Sequence, residues 1–442
     1  MHTLAIIAQG LVVVGAIVMG TRTGGIGLGV WGLVGLLVLV FGFRMAPGPV
    51  PTDAVFIVLT VITAASVMQA AGGIDWMVRQ AGKAIQRNPK RIVYLAPFSS
   101  FIFTVGAGTG NIFYPLLPVI YEAAYSQKLR PERPLAISAV ASQVGILASP
   151  VSAATASLTA LLQPHGFTLG KILLIMWPAS VAGLLVAAFV MSKVGKPLEE
   201  DAEYQRRLAD GRVQPPPKVD LSQPLPAASR NSALIFLAGV AVIVAFGLFE
   251  RLRPIVTVAG KSERVSVTVT IELVMGLVAA VIFLACKVKA GDVPKQSTFP
   301  AGITGAIALF GLAWLAGTFV AGNSEDITSA LGGVVGRFAL LFALALALVA
   351  MLTTSQSSAT NAIVPIGLNL GLSAASITGM WPAVMGMYLL PANGSQIATV
   401  NFDQTGTTRI GKYVLNHSFL VPTVVFILVG TAVGLLMSTI VG

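Results

Sequence analysis

Charge is what this sequence has least of. Asp, Glu, Lys and Arg make up 10% of its 442 residues, whereas a soluble globular chain carries about a quarter, so a water-facing surface cannot be built from them. The charges fall in short stretches between apolar runs of roughly 17–25 residues, the length that crosses a hydrocarbon core. One cysteine, Cys286, excludes an internal disulfide and a cysteine metal cluster. Three scattered histidines, His2, His165 and His417, argue against a zinc or haem site. Alternating ten-residue segments, the mark of a membrane β-barrel, are missing too; Leu36–Val40 and Leu340–Val349 are apolar all round. Leu4–Met19 has no basic leader before it, so it is expected to remain as a first span.

What is present is apolar: 55% of residues are hydrophobic and the mean hydropathy is +0.85. The net charge of +11 reads as basic cytoplasmic loops rather than as a nucleic-acid surface. The expectation is an all-α membrane protein with lipid around it and no cofactor beyond a coupling ion. Apolar windows predict about ten transmembrane helices, near 3–20, 27–45, 53–71, 134–163, 169–192, 231–249, 269–286, 299–320, 378–401 and 413–441. Two further stretches, 92–124 and 333–372, are interrupted by small and polar residues and read as re-entrant hairpins, tolerated only where protein or water satisfies the backbone.

Basic residues in 73–91, 125–133 and the Pro-rich loop 194–230 place all three in the cytoplasm and both termini outside, in the periplasm of a bacterial inner membrane. The loop 250–268, with Arg251, Arg253, Lys261 and Arg264, fits this topology least well. The loop 194–230 divides the chain into halves, 1–193 and 231–442, with the same order of spans, hairpin and broken span. Five spans in each make them two inverted repeats, and such carriers bind at the midplane, where broken helices meet.

Polar residues at membrane depth are costly and mark function. Four clusters qualify: Gly108, Thr109, Gly110 and Asn111; Ser142 and Gln143 with Ser149, Pro150 and Ser152; Ser355, Gln356, Ser357 and Ser358 with Thr360 and Asn361; and Asn393, Gly394, Ser395 and Gln396. From these, the residues assigned to substrate binding are Gly108–Asn111, Ser149, Pro150, Ser152, Ser355–Ser358, Thr360, Asn361 and Asn393–Ser395. Each cluster sits at a hairpin turn or helix break, where a new half-helix offers unpaired N–H groups to an anion. Thr109, Asn111, Ser357 and Asn361 are candidate sodium ligands. Taken singly, such small and hydroxyl residues equally well serve helix packing. The glycine runs 24–29 and 106–110 lack the context of a phosphate loop and read as packing or turn residues. Asp75-Trp76 opens an amphipathic stretch at the cytoplasmic edge, and Arg409 is read as either a lipid anchor or a substrate-route residue. An intramembrane enzyme would need a carboxylate pair or a Ser with its base at depth, and the spans offer neither.

The stretches TRTGGIGLG (21–29), MQAAGGIDWMVRQ (68–80), RNPKRIVYLAPF (87–98), GAGTGNI (106–112), ASQVGILASPVSAA (141–154), GLAWLAGTFV (311–320), SQSSATNAIVP (355–365) and DQTGTTRIGKYVLNHSF (403–419) run in order along nearly the whole chain. Here it resembles the anaerobic C4-dicarboxylate carriers of bacteria, the Dcu family. The resemblance implies a secondary transporter of fumarate, succinate, malate or aspartate, working as an antiporter by elevator-like alternating access, and a homodimer with a moving domain that carries the hairpins. A sodium- or proton-coupled carrier of another small anion or amino acid is the alternative on the same scaffold. Better-known members carry an acidic residue near Gly317 and a lysine near Asn361, where this chain is neutral.

Overall fold

The computed structural model describes residues 2–23, 25–48, 50, 52–214, 216, 221, 224–258, 261–296, 298–323, 340–391, 393–411 and 416–442. Most of them are helical. The first half runs α1 His2–Thr23, α2 Gly27–Leu37, α3 Thr52–Ala70, α4 Gly73–Arg87, α5 Ile92–Ala107, α6 Phe113–Ser126, α7 Glu132–Leu147, α8 Ala153–Leu162 and α9 Leu169–Met191. A surface helix α10, Ala202–Ala209, follows. The second half runs α11 Ala227–Leu248, α12 Val267–Cys286, α13 Thr298–Gly322, α14 Leu340–Thr353, α15 Gln356–Asn369, α16 Ala374–Met380, α17 Gly394–Phe402 and α18 Leu420–Val441. Four helices, α1–α4, in the first half and three, α11–α13, in the second precede a helical hairpin, a helix broken near its middle and a closing helix. Of the expected hairpin at 333–372, residues 333–339 lie outside the described residues.

Among the described residues, α9, α11, α12 and α18 are individually long and apolar enough to cross a bilayer. Shorter apolar helices, including 29–42 and α14, accompany them. Two packing groups emerge. In the first, α1, α2 and α13 pack together, with α3, α11 and α12 alongside. In the second, α5 packs on α7, α9 on α18, and α14 on the turns that follow α16.

The first group is fastened by glycine. At the α2–α13 crossing a methyl on Gly29, Gly32 or Gly311 would run into the backbone of the facing helix, so the two backbones touch with no side chain between them. The expectation that the 24–29 glycine run serves close packing is met at Gly29.

Helices α3 and α4 bend by 73° at Gly72, whose φ of +82° suits only glycine. The amphipathic reading of α4 is met, but Met77, Val78, Ala81 and Ile85 turn inward onto protein, packing toward α5, α6 and α11, while Lys83 and Arg87 stay exposed.

Two loop assignments change in kind. Arg130, read from sequence as a loop cation, is 4% exposed, its guanidinium bonded to Glu132 Oε2 and Asp201 Oδ2, both at 2.5 Å. Glu132 in turn accepts from Ser418 Oγ at 2.5 Å, and its backbone N–H donates to Thr407 Oγ1 at 3.2 Å. Through Asp201, which caps α10, the linker is docked rather than loose. Arg207 donates to the Gln404 carbonyl at 3.3 Å and the Gln214 N–H to Gln404 Oε1 at 3.2 Å. In the loop 250–268 an antiparallel hairpin pairs β1 Ile255–Val258 with β2 Lys261–Arg264, Ile255 opposite Arg264. Arg253 donates to the Val265 carbonyl and Arg264 to that of Arg253, at 2.8 and 2.9 Å, so two of the basic residues that fitted the topology poorly close this hairpin.

Candidate functional site

Each break has a local cause. Helix α5 stops because Gly108 takes φ +70° and its N–H closes onto the Thr104 carbonyl at 2.8 Å; a Cβ there would lie 2.6 Å from the Val151 carbonyl oxygen. A short turn, Gly110–Ile112, then leads into α6. Between α7 and α8, Ser149 Oγ donates to the Val105 carbonyl at 2.8 Å and accepts from the Val151 N–H at 3.3 Å, which ties the break to the first hairpin. Ser152 caps α8, its Oγ accepting from the Thr155 N–H and donating to the Ile146 carbonyl at 2.7 Å.

The second half repeats the devices with different residues. Thr354, at φ +49°, turns the chain between α14 and α15, and Ser355 caps α15 by accepting from the Ser358 N–H at 3.2 Å. Gln356 Nε2 donates to the Gln143 carbonyl at 2.9 Å, joining this tip to α7. After the tight turns Trp381–Tyr388, Asn393 and Gln396 cap α17 reciprocally: Ser395 N–H to Asn393 Oδ1 at 3.1 Å, Asn393 N–H to Gln396 Oε1 at 3.0 Å. Gln396 Nε2 also holds the Tyr388 carbonyl at 3.1 Å, and the Tyr388 hydroxyl bonds Ser395 Oγ.

All four breaks meet at one cavity of about 390 Å³, within the roughly 300–1,000 Å³ typical of small-molecule sites. Of the sequence candidates, Gly108, Thr109, Gly110, Ser152, Ser355, Gln356, Ser357 and Asn393 line it. The opposite wall is Val58, Val61, Ile62 and Ala65 of α3 with Thr298 and Gly302 of α13. No lining residue is charged. The polarity comes from hydroxyls, amides and the first turns of α8, α15 and α17, whose unpaired N–H groups and positive dipole ends favour an anion.

The remaining candidates stand behind this wall. Ser149 is fully buried in its bonds to the hairpin, and Pro150 faces a separate apolar groove. Thr360 Oγ1 accepts from Trp381 Nε1 and donates to the Gln356 carbonyl, both at 2.8 Å. Asn361 Nδ2 lies 3.5 Å from Ser157 Oγ. Ser358 and Ser395 are buried, and Gly394 sits against the Tyr114 hydroxyl. Thus Thr109 and Ser357 of the proposed sodium set share the cavity, whereas Asn361 is drawn to α8. The side chain of Asn111 lies outside the described residues. Among the described residues no cluster of His, Cys, Asp or Glu could hold a metal ion. Arg409 is exposed, its N–H bonded to Ser418 Oγ beside Glu132 and away from the cavity.

Tyr114, Thr298, Thr354 and Met387 line the cavity without having been singled out, and Gln143 was noticed but not assigned to binding. Tyr114 follows the Gly-rich turn by one helical turn, a signal the sequence does carry. The contribution of α3 and α13 depends on how the two groups of helices pack, which local pattern does not encode.

A family model described as an anaerobic C4-dicarboxylate membrane transporter matches residues 5–442. The chain is 35% identical to the anaerobic C4-dicarboxylate transporter DcuB of Escherichia coli O6:H1, over 96% of each chain. It is 35% identical to the C4-dicarboxylate transporter DcuA of Wolinella succinogenes, covering 97% of this chain and 98% of that one. For the transporter DcuA of Escherichia coli K12 the figures are 35%, 94% and 95%. In fold the chain is similar to Neisseria gonorrhoeae MtrF, described as one of a class of antimetabolite efflux pumps, with a TM-score of 0.59 at 14% identity over 93% of this chain and 94% of that one.

Proposed function

Since the chain belongs to the anaerobic C4-dicarboxylate membrane transporter family, and so is a membrane transporter and not an enzyme, we propose that it exchanges C4-dicarboxylates such as fumarate, succinate, malate and aspartate across a bacterial inner membrane. The observation that carries this reading is the convergence of helix starts from both halves on one neutral cavity. They fall into two sets: the turn 110–112 with α8 from the first half, and α15 with α17 from the second. Two sets suit a cargo with a carboxylate at each end, and a monocarboxylate would leave one set unmatched.

In this reading the hairpins and broken helices move against the first packing group, the two halves being inverted repeats. The wall supplied by α3 and α13 supports it, being apolar or small except for Thr298, whose hydroxyl and N–H both donate to Gln69 Oε1, at 2.6 and 3.1 Å. Such a surface gives cargo little to hold as it slides past. Neutral donors bind reversibly, which a carrier that must release its cargo requires. Homodimerisation belongs to the same reading and is checked by the mass of the solubilised particle.

The test is transport by the purified protein in liposomes. Uptake of labelled fumarate or aspartate should require internal succinate, while a labelled monocarboxylate stays outside. A parallel arm with a sodium gradient and no internal succinate distinguishes ion-coupled uptake. A folded protein that moves no dicarboxylate under either condition would overturn the substrate assignment.

A further inference from the structure

The loop between α7 and α8 has two faces. Val151 and Ser152 line the polar cavity, while Pro150 between them and Ser149 turns the other way, into a second cavity of about 460 Å³. Val105 of α5, Leu174 and Trp177 of α9, and Val240 and Val244 of α11 help to line it, and every lining residue is apolar. Helices α9 and α11 each cross the bilayer by length and hydropathy, and Leu174 and Trp177 are 50% and 38% exposed, so the groove opens on the surface that meets lipid.

Such a groove offers water no partners and would lose dispersion contacts if left empty. Hydrocarbon fills it at no polar cost. A charge stands about one helical turn before the groove on α9. Lys171 precedes Leu174 and Pro178 by three and seven residues on α9, so the three share one helix face. Lys171 lies in the first turn of the spanning helix, where lipid headgroups sit. Its ammonium rests over the Phe167 ring, 5.4 Å from the centroid, and among the described residues no carboxylate pairs with it. We propose that this groove is a binding site for an anionic phospholipid, one acyl chain lying between α9 and α11 and the phosphate held by Lys171.

Binding can be read without transport, so it stands or falls apart from the substrate assignment. Delipidated protein in detergent is titrated with phosphatidylglycerol brominated on its acyl chains, and tryptophan fluorescence is followed. Quenching should saturate at a low lipid-to-protein ratio and lose that component in Trp177→Phe. In Lys171→Gln the midpoint should rise about fivefold, with brominated phosphatidylcholine unaffected by the same change. Val244→Phe fills the groove and should abolish the saturable component; Val240→Phe serves the same purpose if the first variant does not fold. Quenching that never saturates, that survives a folded groove-filling variant, or that ignores both Lys171 and headgroup charge would overturn the proposal.

Discussion

At the scale of single residues, the cavity separates side chains that face its interior from those that shape the wall behind it. The Ser357 hydroxyl lines the cavity, while Asn361, one turn further along α15, is 1% exposed and faces Ser157. Ser357→Ala is expected to raise the KM for dicarboxylate exchange several-fold with little change in melting temperature. Asn361→Ala should do the reverse, at a cost of about 1–3 kcal/mol for the buried polar contact. Paired liposome transport and thermal melting decide between them. The sequence grouped the two because both fall in one polar interruption of an apolar run; what it could not contain was Ser157, supplied from α8. Gly108→Ala would place a methyl 2.6 Å from the Val151 carbonyl at φ +70°. It should destabilise by more than the roughly 1–2 kcal/mol that the left-handed backbone alone costs, seen as a lowered melting temperature. By contrast, a methyl at Gly110 meets the side-chain amide of Gln143 rather than backbone and should lower transport more than stability.

Among the elements, the linker helix α10 shows how a loop charge becomes a fastening. Burial alone would raise the Asp201 carboxyl, but the Tyr204 N–H, the Arg130 guanidinium and the Glu203 N–H outweigh it and hold the pKa below the usual carboxylate range. A carboxyl depressed in this way stabilises the docked linker above its unfolded value of about 4, and that contribution is lost as pH falls through the folded value. Asp201→Asn is expected to release α10 at neutral pH, and faster tryptic cleavage after Arg206 and Arg207 measures it. Composition and the Pro-rich run marked 194–230 as a basic connector between two apolar halves. They could not announce its docking, because the partners Arg130 and Gln404 lie 71 and 197 residues away along the chain from Asp201 and Arg207. The glycine seam of α2 and α13 behaves likewise: Gly32→Val should cost about 1–3 kcal/mol or more by overpacking, detectable in thermal melting.

Across the whole molecule, the order of helices, the two helical hairpins and the breaks at 148–152 and 389–393 were legible in the sequence, because Gly, Pro, Ser and Asn interrupt apolar runs there. The division into two packing groups was not, since the apolar helices of both groups look alike in composition and differ only in what they touch. The neutrality of the cavity carries an electrical consequence. A half-helix dipole that translates without turning moves no net charge, so in the exchange proposed above the loaded site would carry the charge of its cargo alone. Inward movement of an unpaired dianion against an inside-negative potential is opposed by about 2.3 kcal/mol per charge per 100 mV. Exchange of one dianion for another cancels this opposition. Fumarate–succinate exchange in liposomes should therefore run at the same rate whether a valinomycin-imposed potassium diffusion potential is present or absent.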